Sequence, residues 1–317
     1  MKEYPRINIG PMSKEIVDIV VEYGNIGLIP SRRQVEYDGG YVNGWTTDIF
    51  SKYIRSKSND TIITRDHGGP SQGKIYDSGF DSFYFDIKSG FNILHIDPWK
   101  ECKSISDAAK RTSELILFCC SLDKDVKFEV GTEESIFPYS EMELDSFLGI
   151  LQNLLKDDFN RIKIAVIQSG VKISGDRNIG KFDNERLKRM VKITKKWNLL
   201  SKEHNSDYLS VDDIETRIQS GLDCFNFAPE FGVLQTKLLL KSGKINLSDA
   251  YDTCFREGKY KKWIPEEDLN PSKETIVNLS GHYCFTKSPF KNCLEEIKDE
   301  LSDTIHHRLD SIFELMR

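Results

Sequence analysis

Short β-branched or apolar runs alternate along the chain with longer segments in which apolar residues recur at helical spacing. Eight runs read as strands: Arg6–Gly10, Gly27–Arg33, Thr61–His67, Phe91–Asp97, Val126–Glu133, Ile162–Gln168, Leu199–His204 and Asp223–Ala228. Helical patterns fill the intervals at Ser13–Tyr23, Thr46–Arg55, Ser106–Phe118, Glu141–Leu155, Glu185–Trp197, Val211–Ser220 and Phe231–Leu240, and the stretch before Phe91 carries a weaker one. Asp212 and Asp213 after Ser210 place carboxylates at the positive end of a helix dipole. Strand followed by helix, repeated through one chain, calls for parallel pairing with right-handed crossovers, and eight repeats close a ring. The expectation is an α/β protein, a (β/α)8 TIM barrel over residues 1–245; the competitor is an open doubly wound sheet. After Leu240 the period changes. A helical piece at Ser248–Phe255, aromatics at Tyr260 and Trp263, and a last helix from Leu294 to Met316 predict a C-terminal helical extension, 246–317, that packs on the barrel and reaches toward its mouth.

Composition narrows the function. At 317 residues, with 38% hydrophobic and 30% charged side chains, the chain suits one barrel with water-facing helices. A net charge of −6, with lysines and arginines scattered rather than striped, gives no footprint for nucleic acid. Seven cysteines without a C-x-x-C pair argue against a disulfide framework or a zinc ribbon and for a reducing, cytoplasmic setting. The first ten residues lack a signal-peptide core, and no segment is apolar for about 18 residues, so neither secretion nor a membrane span is expected. Dinucleotide and P-loop glycine patterns are absent.

In such barrels the chemistry stands at the carboxyl ends of the strands. Here those ends carry Arg33 and Gln34, Asp66 and His67, His95 and Asp97, Glu133, Gln168, and His204 with Asp207 beyond. Any one of them reads equally as a solvated cap, but six polar ends together favour a site, because buried polar groups cost several kcal/mol unless paired. His67, Glu133 and His204 suit a divalent ion, zinc first, with Asp97 as a fourth ligand. His95 shares a strand face with Asp97 and either joins the chemistry or orients a ligand from behind. Asp66 is the candidate general base, with Glu133 and His95 the further catalytic candidates. Arg33, Gln34, Gln168 and Asp207 would contact substrate, and the amides of Gly39–Gly40 and Gly68–Gly69 would face an anion or a sugar hydroxyl. His306 and His307 read as solvated, and His282 has no assigned role.

Gln34-Val35 before Gly39-Gly40-Tyr41, Asp66-His67-Gly68-Gly69-Pro70, His95-Ile96-Asp97, Val130-Gly131-Thr132-Glu133, Gln168-Ser169-Gly170-Val171 and His204-Asn205-Ser206-Asp207-Tyr208 follow one another in a recognisable order. In this the chain resembles the non-catalytic subunit family of class II D-tagatose-1,6-bisphosphate aldolase, and more loosely so through Tyr260–Trp263 and His282–Phe285. The resemblance implies an aldolase-type barrel, a phosphorylated sugar as substrate, and metal-dependent aldolase or sugar-phosphate 4-epimerase chemistry. It also carries, as the second reading, a chaperone-like subunit that stabilises a partner catalytic aldolase; a sugar-phosphate binding or isomerising barrel with no metal is the third, and the partner is a catalytic aldolase subunit or a second copy in a homo-oligomer. The chain departs from the family in being shorter and in carrying Glu129 where an apolar residue is usual.

Overall fold

The computed structural model describes residues 4–265 and 268–316. Eight parallel strands, each followed by a helix, form the sheet. They are β1 (Ile7–Ile9), β2 (Ile26–Leu28), β3 (Thr64–Gly68), β4 (Ile93–Ile96), β5 (Lys127–Val130), β6 (Ile162–Ile167), β9 (Leu200–Glu203) and β10 (Cys224–Phe227). Their order is β2-β1-β10-β9-β6-β5-β4-β3, while β7 (Ile173–Ser174) and β8 (Arg177–Asn178) make a small antiparallel hairpin after β6. The helices are α1 (Lys14–Tyr23), α2 (Thr47–Arg55), α3 (Phe80–Lys88), α4 (Ile105–Leu122), α5 (Glu141–Leu155), α6 (Asn184–Lys196), α7 (Val211–Gln219) and α8 (Pro229–Lys241). The two ends of the sheet meet where Leu28 bridges Ile63 and Ser31 bridges Asp66, which makes the (β/α)8 barrel expected from the sequence.

That seam is thin for a chemical reason. Pro30 has no N–H to give the ladder, so β2 stops at Leu28 rather than running to Arg33. Arg65 on β3 supplies what the backbone cannot. Its guanidinium donates to Pro30 O at 3.0 Å and Val35 O at 2.7 Å, and grips Asp86 of α3 at 2.8 and 2.5 Å, with both side chains fully buried. The next turn is fixed in the same way, with Arg32 donating to Gly69 O at 2.9 Å and pairing with Asp77 at 2.8 Å.

Most helices begin on a side-chain cap that accepts from the first-turn amides: Ser13, Thr46, Ser104, Ser140, Asp183 and Ser210. Helix α3 begins instead on Gly79, at φ 97°, and takes its cap from Asp77 through the Ser82 amide at 3.1 Å. That irregular start and the run of aromatics from Phe80 explain the weak pattern before Phe91. β5 ends at Val130, short of the predicted Glu133, because Gly131 turns the chain at φ 105°.

Beyond α8 the chain continues through α9 (Leu247–Glu257), α10 (Lys273–Ser280) and α11 (Lys298–Glu314). Helix α10 has no counterpart in the sequence reading. It and the turn at 281–284 pack on α8, and α11 packs against α1, α7 and α8. Gly281 permits this approach, because a Cβ there would stand 2.5 Å from Thr236 Cγ2. Among the described residues no helix is long and apolar enough to cross a membrane.

Removing one partner of a fully buried ion pair leaves an uncompensated charge. Asp86→Ala is therefore expected to cost about 3–5 kcal/mol in urea unfolding, whereas Asp48→Ala, which breaks the exposed Lys52 pair, should cost under about 1 kcal/mol.

Candidate metal centre at the barrel mouth

Three imidazoles meet at the carboxyl ends of β3, β4 and β9. His67, His95 and His204 each offer a ring nitrogen, and these atoms lie within 4.8 Å of one another. Hydrogen bonds fix each ring. The backbone N–H of His67 donates to His95 Nδ1 at 3.2 Å, so the His95 proton sits on Nε2 and is donated to Gly131 O at 3.0 Å. His67 Nδ1 meets Asp97 Oδ2 at 2.6 Å, an oxygen that also accepts from Thr132 Oγ1 at 3.2 Å. His204 Nε2 meets Glu129 Oε1 at 2.8 Å, which leaves its Nδ1 facing His67 Nε2 at 3.2 Å.

The backbone makes this convergence possible. His67 takes a left-handed φ of 44°, uncommon outside glycine, which re-aims the end of β3. Gly68 follows because a Cβ there would lie 2.4 Å from the Phe83 ring. On the next ladder His95 and Glu129 are register partners, so both point to the same face.

Beneath the imidazoles lies a buried ion pair, Lys202 Nζ to Glu129 Oε2 at 2.6 Å. Burial alone would push the Glu129 carboxyl up. The Lys202 ammonium and the two imidazoles beside it outweigh burial and hold the group well below the usual carboxylate range. Burial likewise acts to lower His67, but the Asp66 charge and the bond to Asp97 prevail and raise it to about 10. Burial keeps His95 neutral by lowering it. In the metal-free protein the position between Asp97 and His204 therefore holds an imidazolium.

The donors suit a divalent ion. Two nitrogens bound tetrahedrally at about 2.0–2.1 Å stand about 3.3 Å apart, close to the 3.2 Å between His67 and His204. Asp97 and Glu129 behind them are the carboxylates that orient ligating histidines.

The other predicted residues fall in different places. Asp66 lies at the mouth, 3.9 Å from His204 Nδ1 and 3.4 Å from Asn226 Nδ2. Glu133 sits outside the three-histidine group. It is carried past the Gly131 turn and held by Ser135 Oγ at 2.8 Å and by the Asn205 amide, and the nearby His67 and His204 charges lower it against burial. Asp97 stands behind His67. Gln168 donates to Thr132 O and Phe137 O and accepts from Tyr139 N and Arg186, which engages its whole amide within the protein. Asp207 accepts from the amides of Ala228 and Glu230, both at 2.8 Å, and so caps α8 from outside the helix. Gln34 donates to Met12 Sδ and accepts from Ser31 N. The amides of Gly39 and Gly40 bond to Glu36 O and Trp45 O, closing their own loop. Arg33 is exposed.

Sequence reasoning noted Glu129 without assigning it a role, and missed Lys202 entirely. The available signal was a pair of opposite charges within two strands, Glu129 between Phe128 and Val130 and Lys202 in Leu200–Glu203.

No family model matches the chain, and no curated protein matches it. Solved structures do. A probable tagatose 6 phosphate kinase from Sinorhizobium meliloti 1021 superposes with a TM-score of 0.77 at 16% identity, over 94% of this chain and 87% of the other. The fructose-bisphosphate aldolase of Campylobacter jejuni gives 0.61 at 12% identity, over 98% and 89%. The fructuronate-tagaturonate epimerase UxaE of Cohnella laeviribosi gives 0.64 at 9% identity, over 98% and 81%. The fold is an aldolase-type barrel.

A group with a raised folded pKa contributes stability that is present below its unfolded value and lost as pH rises through the folded one. Chelator-treated protein is expected to lose on the order of a few kcal/mol between pH 7 and 10 relative to His67→Gln, as read by urea unfolding of both at each pH.

Proposed function

We propose that the protein is a metal-dependent enzyme that makes or breaks a carbon–carbon bond in a sugar phosphate, either as an aldolase or as an epimerase working by cleavage and re-addition. One observation carries the reading: three imidazoles from separate strands converge within 4.8 Å at the catalytic end of an aldolase-type barrel. Neighbours described as an aldolase and as an epimerase support the same class of chemistry.

His67 and His204 would hold a divalent ion, zinc in our reading, while His95, whose two ring nitrogens are engaged by the His67 N–H and by Gly131 O, backs them. Such an ion supplies a positive charge for the oxyanion that develops on the substrate. Asp97 fixes the His67 ring through Nδ1, and Glu129 fixes His204 through Nε2. Lys202 keeps Glu129 ionised, and so keeps that hydrogen bond charge-assisted. Asp66, at the mouth, takes the proton of the hydroxyl that becomes a carbonyl as the adjacent carbon–carbon bond breaks. It returns that proton when the bond re-forms. Glu133, fastened by Ser135 and Asn205, faces the same space and orients a substrate hydroxyl.

Elemental analysis after zinc reconstitution is expected to find about one ion per chain, falling below roughly a tenth in His67→Ala and His204→Ala. A wild-type protein that takes up no zinc would sink the reading. Asp66→Asn should keep its zinc and lose about 10²–10⁴-fold in kcat on a ketose phosphate, scored by the release of triose phosphate or an epimer. Should the wild type show no turnover while raising the thermal stability of a co-purified aldolase chain, the chaperone-like alternative takes its place.

A further inference from the structure

Outside the metal centre, the mouth carries cations that the chemistry above does not use. Arg33 follows β2, Lys100 follows β4, and Lys262 comes from the extension; each keeps part of its side chain at the surface. None forms an ion pair among the described residues. Lys100 Nζ donates to Gln72 Oε1 at 2.5 Å, and Gln72 donates in turn to Asp97 O at 2.9 Å, which tethers this ammonium beside the residue that grips His67.

Lys262 is placed by aromatic packing. Its ammonium lies 4.4 Å over the Trp263 ring, and Trp263 Nε1 donates to Tyr283 Oη at 3.0 Å. The Tyr283 ring stands 4.7 Å from Tyr41, whose backbone N–H donates to Arg33 O at 3.0 Å. The extension and the β2–α2 loop thus carry their cations to one rim. The charges feel one another: burial and Arg33 both lower Lys100, and burial with Arg33 lowers Lys262 against the pull of Glu133 and Asp66.

A second observation points to a missing ligand. His282, 4.2 Å from the Tyr283 ring, is 1% exposed, and neither of its ring nitrogens has a hydrogen-bond partner. A buried imidazole with both nitrogens unpaired is costly, and native structures keep such groups where something else completes them.

We propose that the C-terminal extension completes an anion subsite at the barrel mouth, in which Arg33, Lys100 and Lys262 bind the phosphate monoester of the substrate, with the unpartnered His282 packed against Tyr283 beside it. Three cations with no carboxylate partner suit a dianion better than a monoanionic sugar carboxylate. The subsite deepens the sugar-phosphate reading and rests on it, but it makes no use of the metal ligands, so the two fail separately.

Isothermal titration of the full chain with inorganic phosphate tests it, with acetate at matched ionic strength as the monoanion and with protein both zinc-loaded and chelator-treated. Phosphate is expected to bind in both forms, and Lys262→Gln and Arg33→Gln each to weaken it by about tenfold. Lys244→Gln, at an exposed pair with Glu296, should leave it unchanged. His67→Ala should lose zinc and keep phosphate. The subsite is refuted if Lys262→Gln and Arg33→Gln bind phosphate like the wild type, if acetate binds as tightly as phosphate, or if the wild type binds no phosphate. Loss of zinc uptake alone would count only against the metal centre.

Discussion

The closure of this barrel depends on one guanidinium. Where Pro30 interrupts the backbone ladder between β2 and β3, Arg65 bonds to carbonyls on one side and to Asp86 on the other. A ring of strands holds its shape only if every neighbour is paired, and β3 is the strand that presents Asp66 and His67. Were the seam to part, the histidines of β4 and β9 would lose the third imidazole that faces them. A charge buried for structural reasons thus sets the geometry that the chemistry needs, and the salt bridge earns its place through specificity of arrangement more than through net stability.

A chain of paired ionisable groups runs through the lumen. Lys202 lies lowest, then the Glu129 carboxylate, then His204, then His67, and Asp97 stands beside His67. Each member faces a partner of opposite or complementary character, so a set of ionisable groups is tolerated where burial would otherwise neutralise them. Charge is also kept ready at the top of this column: with no metal bound, a proton on His67 occupies the role that a cation would take.

Much of this was legible in the sequence because the strand–helix alternation is local. The eight units, and the polar residues at their ends, follow from periodicity alone, and His67, His95, Asp97 and His204 do come together. What the sequence concealed were partnerships across the ring. Glu129 and Lys202 are 73 residues apart and lie on strands that flank β6, so only the closed sheet makes them a pair. Conversely Gln168, Asp207 and the Gly39–Gly40 amides looked like ligand contacts, yet the structure engages them with the chain's own backbone. A polar strand end reads the same in sequence whether it faces a ligand or a neighbouring loop. The unpredicted α10 belongs to the same class, since it is placed by packing on α8 rather than by a strong pattern of its own.

The cap that Asp207 sets on α8 has a wider consequence. In barrels of this type the turn after the last strand often receives a phosphate, held by free amides and by the positive pole of a helix. Here the amides of Ala228 and Glu230 already bond to the Asp207 carboxyl group from within the chain, and Glu230 is in turn tied to Arg308 of the last helix. An incoming anion would have to displace the Asp207 side chain, so this berth is closed, and any anion at the mouth would have to be met by side chains elsewhere on the rim. On the proposed subsite the extension becomes a part of the mouth itself rather than a covering.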